Sequence, residues 1–309
     1  MFTGKHAESQ SGWTAFGIIV MLLGILTAWT AFGTKESESA LRSKAQKNGN
    51  PLEAFKALFQ NDQLLWVALS YLLYAIANVA TTGVLIFPFK FVLDNQAVYS
   101  ATGVIALVAG LIMAPLYPIL NKRIPRRYLY IGGMISMIAG YILLGIFANT
   151  MIMVFVALVL FYVPGTLIQM TAILPLTDSI EYGQLKNGKR NEAVTLSVRP
   201  MLDKIGGAMS NGIVGFIAIA AGMTGDATAA DMTAANINTF KTCAFYVPLA
   251  LIVLSLLVFM FKVKINEKIH AEIVEQLEAK LAAGEIPGEE VKTVETVEAS
   301  TRRPRILTE

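Results

Sequence analysis

The stretch Pro175–Ser210, PLTDSIEYGQLKNGKRNEAVTLSVRPMLDKIGGAMS, joins two strongly apolar segments. It nevertheless carries Asp178, Glu181, Lys186, Lys189, Arg190, Glu192, Arg199, Asp203 and Lys204. Charges this close to membrane-spanning helices are costly and mark candidate substrate or ion pathways. Asp178 and Glu181 stand three apart, which on a helix puts both carboxylates on one face. They can act in gating or proton transfer, or simply form a solvated helix end. Gly183 and Lys186-Asn187-Gly188 read as the stop of that helix. Asp203 and Lys204 precede Gly206, Gly207, Ala208 and Ser210, a small-residue face suited to close helix packing. Adjacent residues point about 100° apart on a helix, so Asp203 and Lys204 need not pair.

Outward from this stretch the chain is membrane-like. Of its 309 residues 55% are hydrophobic and only 15% charged, against about 25% charged in soluble domains. Apolar runs recur at the length of about 20 residues that crosses a bilayer as a helix. Seven spans are expected, near Trp13–Gly33, Leu64–Leu93, Val98–Leu120, Tyr128–Ala148, Met151–Thr177, Met201–Met223 and Phe240–Phe261. The second and fifth are long enough to tilt or break, with Pro88, Pro164 and Pro175 as kink sites. The fold class is an all-α polytopic membrane protein. The single cysteine, Cys243, excludes an internal disulfide and a cysteine-based metal cluster. No metal site, Gly-rich phosphate loop or nucleophile arrangement stands out. The chain is not read as an enzyme, and its net charge of +3 gives no reason to expect nucleic acid.

Orientation follows the basic loops. Lys35, Arg42, Lys44, Lys47 and Lys56, then Lys122, Arg123, Arg126 and Arg127, then Lys186, Lys189, Arg190 and Arg199 fall on one side. Lys5, Lys90 and Lys241 fall on the other. The basic side is expected to be cytoplasmic, with the N-terminus outside and the C-terminus inside, in a multi-pass cell-membrane protein. The chain divides into an external N-terminus with one helix (1–33), a basic loop (34–63), a six-helix bundle (64–262) and a cytoplasmic tail (263–309). One helix, a long polar loop and six helices look like a twelve-helix transporter without its first five helices. Such transporters bind substrate near the bilayer midplane, between two six-helix halves. In the tail, Ile265, Ile269, Ile273, Leu277 and Leu281 recur every fourth residue. They suggest an amphipathic helix on the bundle or the membrane surface, or else a frayed extension of the last span. Disorder is expected from Gly284 onward.

The string Asp178-Ser179-Ile180-Glu181-Tyr182-Gly183, then Glu192, Ser197-Val198 and Lys204 before the small-residue stretch, resembles the glycoside–pentoside–hexuronide:cation symporters. The fuller pattern TDSIEYGQLKNG-x-R-x-E-x-x-TLSVRPMLDKIGGAMSNG is closer to the lactose/galactoside branch of that family. The resemblance covers Trp13 to about Lys264 and implies a major-facilitator-type fold. About seven transmembrane helices would be present: the last of the N-terminal bundle and the six of the C-terminal bundle.

What the resemblance implies is secondary transport of a galactoside-type sugar coupled to H+ or Na+, with no cofactor. Lys204 corresponds to a family lysine near the cation and sugar site. Gln169 falls near a sugar-proximal position, and Glu192 matches an acidic loop position tied to coupling. The branch often has a histidine three residues before that glutamate, where this chain has Lys189. Lysine ordinarily titrates near pH 10 and does not switch near neutrality as histidine does, so H+ and Na+ both stay open.

The pathway candidates are therefore Lys204, Asp203, Gln169, Tyr71 and Asn78. Tyr71, Tyr74 and Asn78 share one face of the second span and would either bind sugar or satisfy one another. The coupling and gating candidates are Asp178, Glu181, Lys189, Arg190, Glu192 and Arg199. Expected partners are the sugar, the lipid bilayer and an N-terminal helical half that carries the family's binding carboxylates. Without that half the chain is expected to be inactive; a non-transporting subunit, split-transporter half or gene remnant is the alternative. His270 is expected to be a surface residue of the tail.

Overall fold

The structure, a computed structural model, describes residues 10–31, 56, 59–188, 190–225 and 227–283. Among these residues every regular element is helical. Helix α1 spans Gln10–Ala31, and none of its described side chains is buried. Helix α2, Asp62–Val84, is followed by a π-helical turn at Pro88–Val92. Then come α3 (Ser100–Arg123), α4 (Arg126–Phe147), α5 (Met151–Asn187) and α6 (Glu192–Ala220). Helix α7, Ala234–Lys241, passes through a second π-helical turn, Thr242–Tyr246, into α8, Val247–Lys262. Helix α9, Glu267–Ala282, closes the described chain.

Among the described residues, six helical stretches are long and apolar enough to cross a membrane. They are α1, α2, Gln96–Arg123, α4, α5 and Ala234–Lys262. The expected span at Met201–Met223 falls mostly on α6, which is 29 residues long but starts at Glu192 and ends at Ala220. Its first half carries Glu192, Arg199, Asp203 and Lys204, and so it is too polar to read as a simple apolar span. It still packs lengthwise against α2. Two other boundaries move. The fifth span continues past Thr177 to Asn187, keeping Asp178 and Glu181 helical. The second breaks after Val84, at the π-turn that Pro88 opens, whereas Pro164 and Pro175 lie inside an uninterrupted α5.

Helix α5 is the organising element and packs on α2, α3, α4, α6 and α9. Since burial against lipid-like surroundings brings little hydrophobic gain, small residues and polar clasps must hold such helices together. Both devices are present. On α6, Gly206 comes so close to α2 that a Cβ there would sit 3.1 Å from Ala75 Cβ. One turn on, Ser210 Oγ donates to the Ile76 carbonyl at 3.1 Å. Between α2 and α8, Ser70 Oγ donates to Ser255 O at 3.0 Å, and Ser255 Oγ donates to Ser70 O at 2.6 Å. Between α2 and α4, the Thr81 and Tyr141 hydroxyls meet at 2.8 Å, and Tyr130 of α4 stacks on Phe259 of α8 at 4.0 Å.

The reciprocal serine clasp is a measurable part of this packing. Replacing Ser255→Ala is expected to lower stability by about 1 kcal/mol, read by reversible denaturation in detergent micelles. Adding Ser70→Ala should cost less than a second such step.

Candidate functional site

Antiparallel packing collects the charged helix ends at one end of the bundle. Gly188 makes this possible locally. It ends α5 in the left-handed conformation, φ 69°, with its N–H on Gln184 O at 2.9 Å. The chain therefore doubles back, and Arg190 lies over the last turns of α5. Its Nη2 sits 3.1 Å from Glu181 Oε1, its Nη1 donates to Gln184 Oε1 at 3.2 Å, and its Nε donates to Glu192 Oε2 at 3.1 Å. Burial opposes the charge on Arg190, but Glu192 and Glu181 outweigh it and hold its pKa above the ordinary arginine value. Of the residues expected to form the stop and loop, Gly188 ends the helix and Gly183 stays inside it. Gly183 has a different use: a Cβ there would sit 2.7 Å from Asn61 Nδ2. That amide donates to Ser179 O at 2.7 Å, while Asn61 Oδ1 accepts the Leu64 N–H and caps α2.

Beside this turn is a buried ion pair. Asp178 contacts Arg126 of α4, with side chains only 8% and 10% exposed. Glu267, at the start of α9, accepts the Arg126 backbone N–H at 2.7 Å and lies 3.5 Å from its Nε. One turn along α9, His270 Nε2 stands 3.7 Å from both Asp178 Oδ1 and Glu181 Oε2. The described part of the tail is therefore the helix lying on the bundle that one of the two expectations gave, and not a frayed extension of the last span. Ile265 and Ile273 are buried, and the helix docks on α5. His270, expected to be a surface residue, is 29% exposed and faces both carboxylates. A further pair ties α2 to α5: Asp62 contacts Lys186 and accepts from Tyr182 Oη at 2.9 Å.

Deeper in the bundle is a second polar group. Tyr71 Oη donates to Asp203 Oδ1 at 2.7 Å across α2 and α6, and the Arg199 guanidinium lies 5.5 Å from the Tyr71 ring. Tyr74 Oη donates to Gly165 O at 3.0 Å and receives Gln169 Nε2 at 3.4 Å. Asn78 is half-buried, and Lys204 and Gln169 are exposed. Asp203 thus pairs with a tyrosine rather than with its neighbour Lys204. The structure brings together Tyr71, Asp203 and Arg199, and separately Asp178, Glu181, Arg190 and Glu192. Lys189 lies outside the described residues.

The model of a family described as MFS/sugar transport protein matches residues 1–267. The chain belongs to this family. It is similar to a lactose permease of Leuconostoc lactis, 51% identical over 283 residues, covering 91% of this chain and 44% of the relative. A lactose permease of Lactobacillus helveticus is 49% identical, covering 92% and 44%. A raffinose carrier protein of Pediococcus pentosaceus is 37% identical, covering 90% and 44%. The chain spans less than half the length of these relatives. Membership of this sugar-transport family agrees with the symporter resemblance carried by the Asp178–Ser210 motif. It places the chain among membrane transporters rather than enzymes.

Sequence reasoning missed Arg126, Glu267, His270 and Asp62 as members of the charged end. Asp62 carried a signal, since Asn61-Asp62 directly before an apolar run is a helix start. The other three are brought in by tertiary packing from α4 and α9. Because Glu267 and His270 are the polar ties of α9, Glu267→Ala/His270→Ala is expected to undock the tail. Hydrogen exchange across residues 267–280 should quicken at least tenfold, with little change in α8.

Proposed function

We propose that this chain forms one helical bundle of a galactoside-type sugar transporter driven by H+ or Na+. The observation that carries the reading is the exposed polar face of α6. Lys204 lies about 18 Å into a helix of about 43 Å, on an exposed position beside exposed Asp203. Lipid is a poor neighbour for these groups, at about 2.5–3.5 kcal/mol for a charge at mid-bilayer. A second helical bundle facing α6 relieves that cost and encloses a site near the midplane. Tyr71 lies at a similar depth on α2 and holds Asp203 by its hydroxyl. Gln169 approaches the same region from α5. The sugar and the coupling cation would meet the chain here, with Lys204 paired to a carboxylate of the facing bundle.

The charged end has a different task. The arginines that meet Asp178 and Glu181, Arg126 and Arg190, come from the same bundle, so the pair stiffens one end of a rigid rocking unit. Glu192 and Arg190 sit where α5 turns into α6, and they couple the motion of the pathway helix to that end. The basic helix ends, including Arg123, Arg126, Arg127, Lys186 and Lys262, gather there, which supports a cytoplasmic placement. The N-terminus would then be outside and the tail inside. Residues 64–262 would be the bundle, 1–33 the last helix of the facing half, 34–63 the loop between them, and 263–309 the tail. The likeness to lactose permeases and a raffinose carrier supports the sugar class.

The expected result is that cells making this chain alone accumulate no labelled galactoside above background. Supplying the N-terminal helices of a lactose-permease relative as a second chain should restore cation-dependent uptake. In the restored pair, Lys204→Ala is expected to cut uptake at least tenfold. Accumulation by the chain alone, or uptake unchanged by Lys204→Ala, contradicts the reading.

A further inference from the structure

The end of α3, the start of α4 and the start of α9 leave between them a cleft of about 510 Å³. Lys122 and Arg123 line it from α3, Ile124 from the connection, Arg127 from α4, and Glu267 and Lys268 from α9. Four cations thus face one carboxylate, and that carboxylate is engaged elsewhere, since Glu267 holds the Arg126 amide and faces its guanidinium. Arg127 is pinned by donating to the carbonyls of Val263 at 3.0 Å and Met260 at 2.7 Å. Neutral carbonyls fix its position without cancelling its charge. Among the described residues, Lys122, Arg123 and Lys268 pair with no carboxylate. The positive end of α9 opens at the same place, where Asn266, capping the Ile269 N–H at 3.0 Å, also lines the cleft.

We propose that this cleft binds a phosphate-bearing anion, presented as the headgroup of an acidic phospholipid. Topology alone asks for basic residues in the loops on one side. It does not ask them to converge from three helices on one space, or the single acid there to be already engaged by Arg126. The surface beside the cleft suits a lipid. Ile119 of α3 and Tyr128 of α4 are 55% and 65% exposed and lie at the ends of helices that cross the membrane. Acyl chains can run against them while the phosphate sits between Lys122, Arg123 and Lys268. Basic pockets between the ends of membrane helices take anionic headgroups in this way. A free phosphate has the same charge and hydrogen-bonding chemistry but makes no use of the apolar rim.

The test uses the full chain in bilayers of equimolar phosphatidylglycerol and phosphatidylcholine, with retained lipid counted by native mass spectrometry. Phosphatidylglycerol should be retained at least fivefold over phosphatidylcholine. Lys122→Gln/Lys268→Gln should lose that preference, at roughly fivefold per charge removed. Lys90→Gln/Lys241→Gln removes the same charge from the opposite end of the bundle and should keep it. Lys122→Arg/Lys268→Arg should also keep it, which separates loss of charge from loss of fold. If inorganic phosphate stabilises the wild-type chain equally well in phosphatidylcholine alone, and Lys122→Gln/Lys268→Gln abolishes that effect, the cleft takes a free anion and the lipid as its occupant is overturned. Equal phosphatidylglycerol retention by Lys122→Gln/Lys268→Gln and wild type overturns the proposal. So does equal loss in the two Gln double variants, which would reduce the effect to net charge.

Discussion

Arg126 and Asp178 are each only about one-tenth exposed, and neither charge is stable there without the other. Taking a single ion out of water costs several kcal/mol even after relaxation. Their contact therefore fixes the first turn of α4 against the last third of α5. Around it the remaining lone pairs and protons find partners from one further element, α9. Glu267 satisfies the Arg126 backbone N–H as well as facing its guanidinium, and His270 approaches the free oxygen of Asp178 and reaches Glu181. Glu181 passes the connection to Arg190, and Arg190 to Glu192 at the start of α6. One buried pair thereby orders the relation of α4, α5, α6 and α9.

Helix length explains how a membrane protein can hold this many charges. At 37 residues α5 is about 55 Å long, against a hydrocarbon layer of about 30 Å. Asp178 lies about 40 Å from its start. The last turns project beyond the apolar layer, and the charged cluster forms on that projection. Helix α6 then descends into the bundle with Arg199, Asp203 and Lys204 at depths where charge is expensive. Tyr71 meets two of them, by a hydrogen bond to Asp203 and by its ring under Arg199. Lys204 is left on the outer face, which gives the bundle a side that asks for other helices and a side that does not.

Much of this was legible from residue patterns, for reasons that differ by element. Apolar runs of membrane length marked the spans because the bilayer imposes that length on any helix crossing it. The spacing of Asp178 and Glu181 correctly put both carboxylates on one face, because helical periodicity is local. Of the small-residue face Gly206, Gly207, Ala208 and Ser210, Gly206 and Ser210 pack closely on α2, whereas Gly207 has open space beside it and Ala208 is exposed. The helix stop at Gly188 is legible in Lys186-Asn187-Gly188, but Gly183 only looks like part of it; its role is to let Asn61 approach from the start of α2. His270 was read as a surface residue because nothing within α9 shows what α5 presents to it. Arg126 counted only as one more basic loop residue, although it is buried against Asp178. In each case the missing information is a partner brought from elsewhere in the chain, which periodicity does not encode.

The central claim is that the Arg126–Asp178 pair, rather than either residue alone, holds the charged end together. A double-mutant cycle on Arg126→Gln and Asp178→Asn, followed by denaturation in micelles, tests it most directly. Each single change should cost about 3–5 kcal/mol by leaving a buried charge uncompensated. The double change should cost clearly less than the sum, with a coupling of at least 1.5 kcal/mol. Additive losses, or single changes costing under about 0.5 kcal/mol as at exposed sites, would contradict the account.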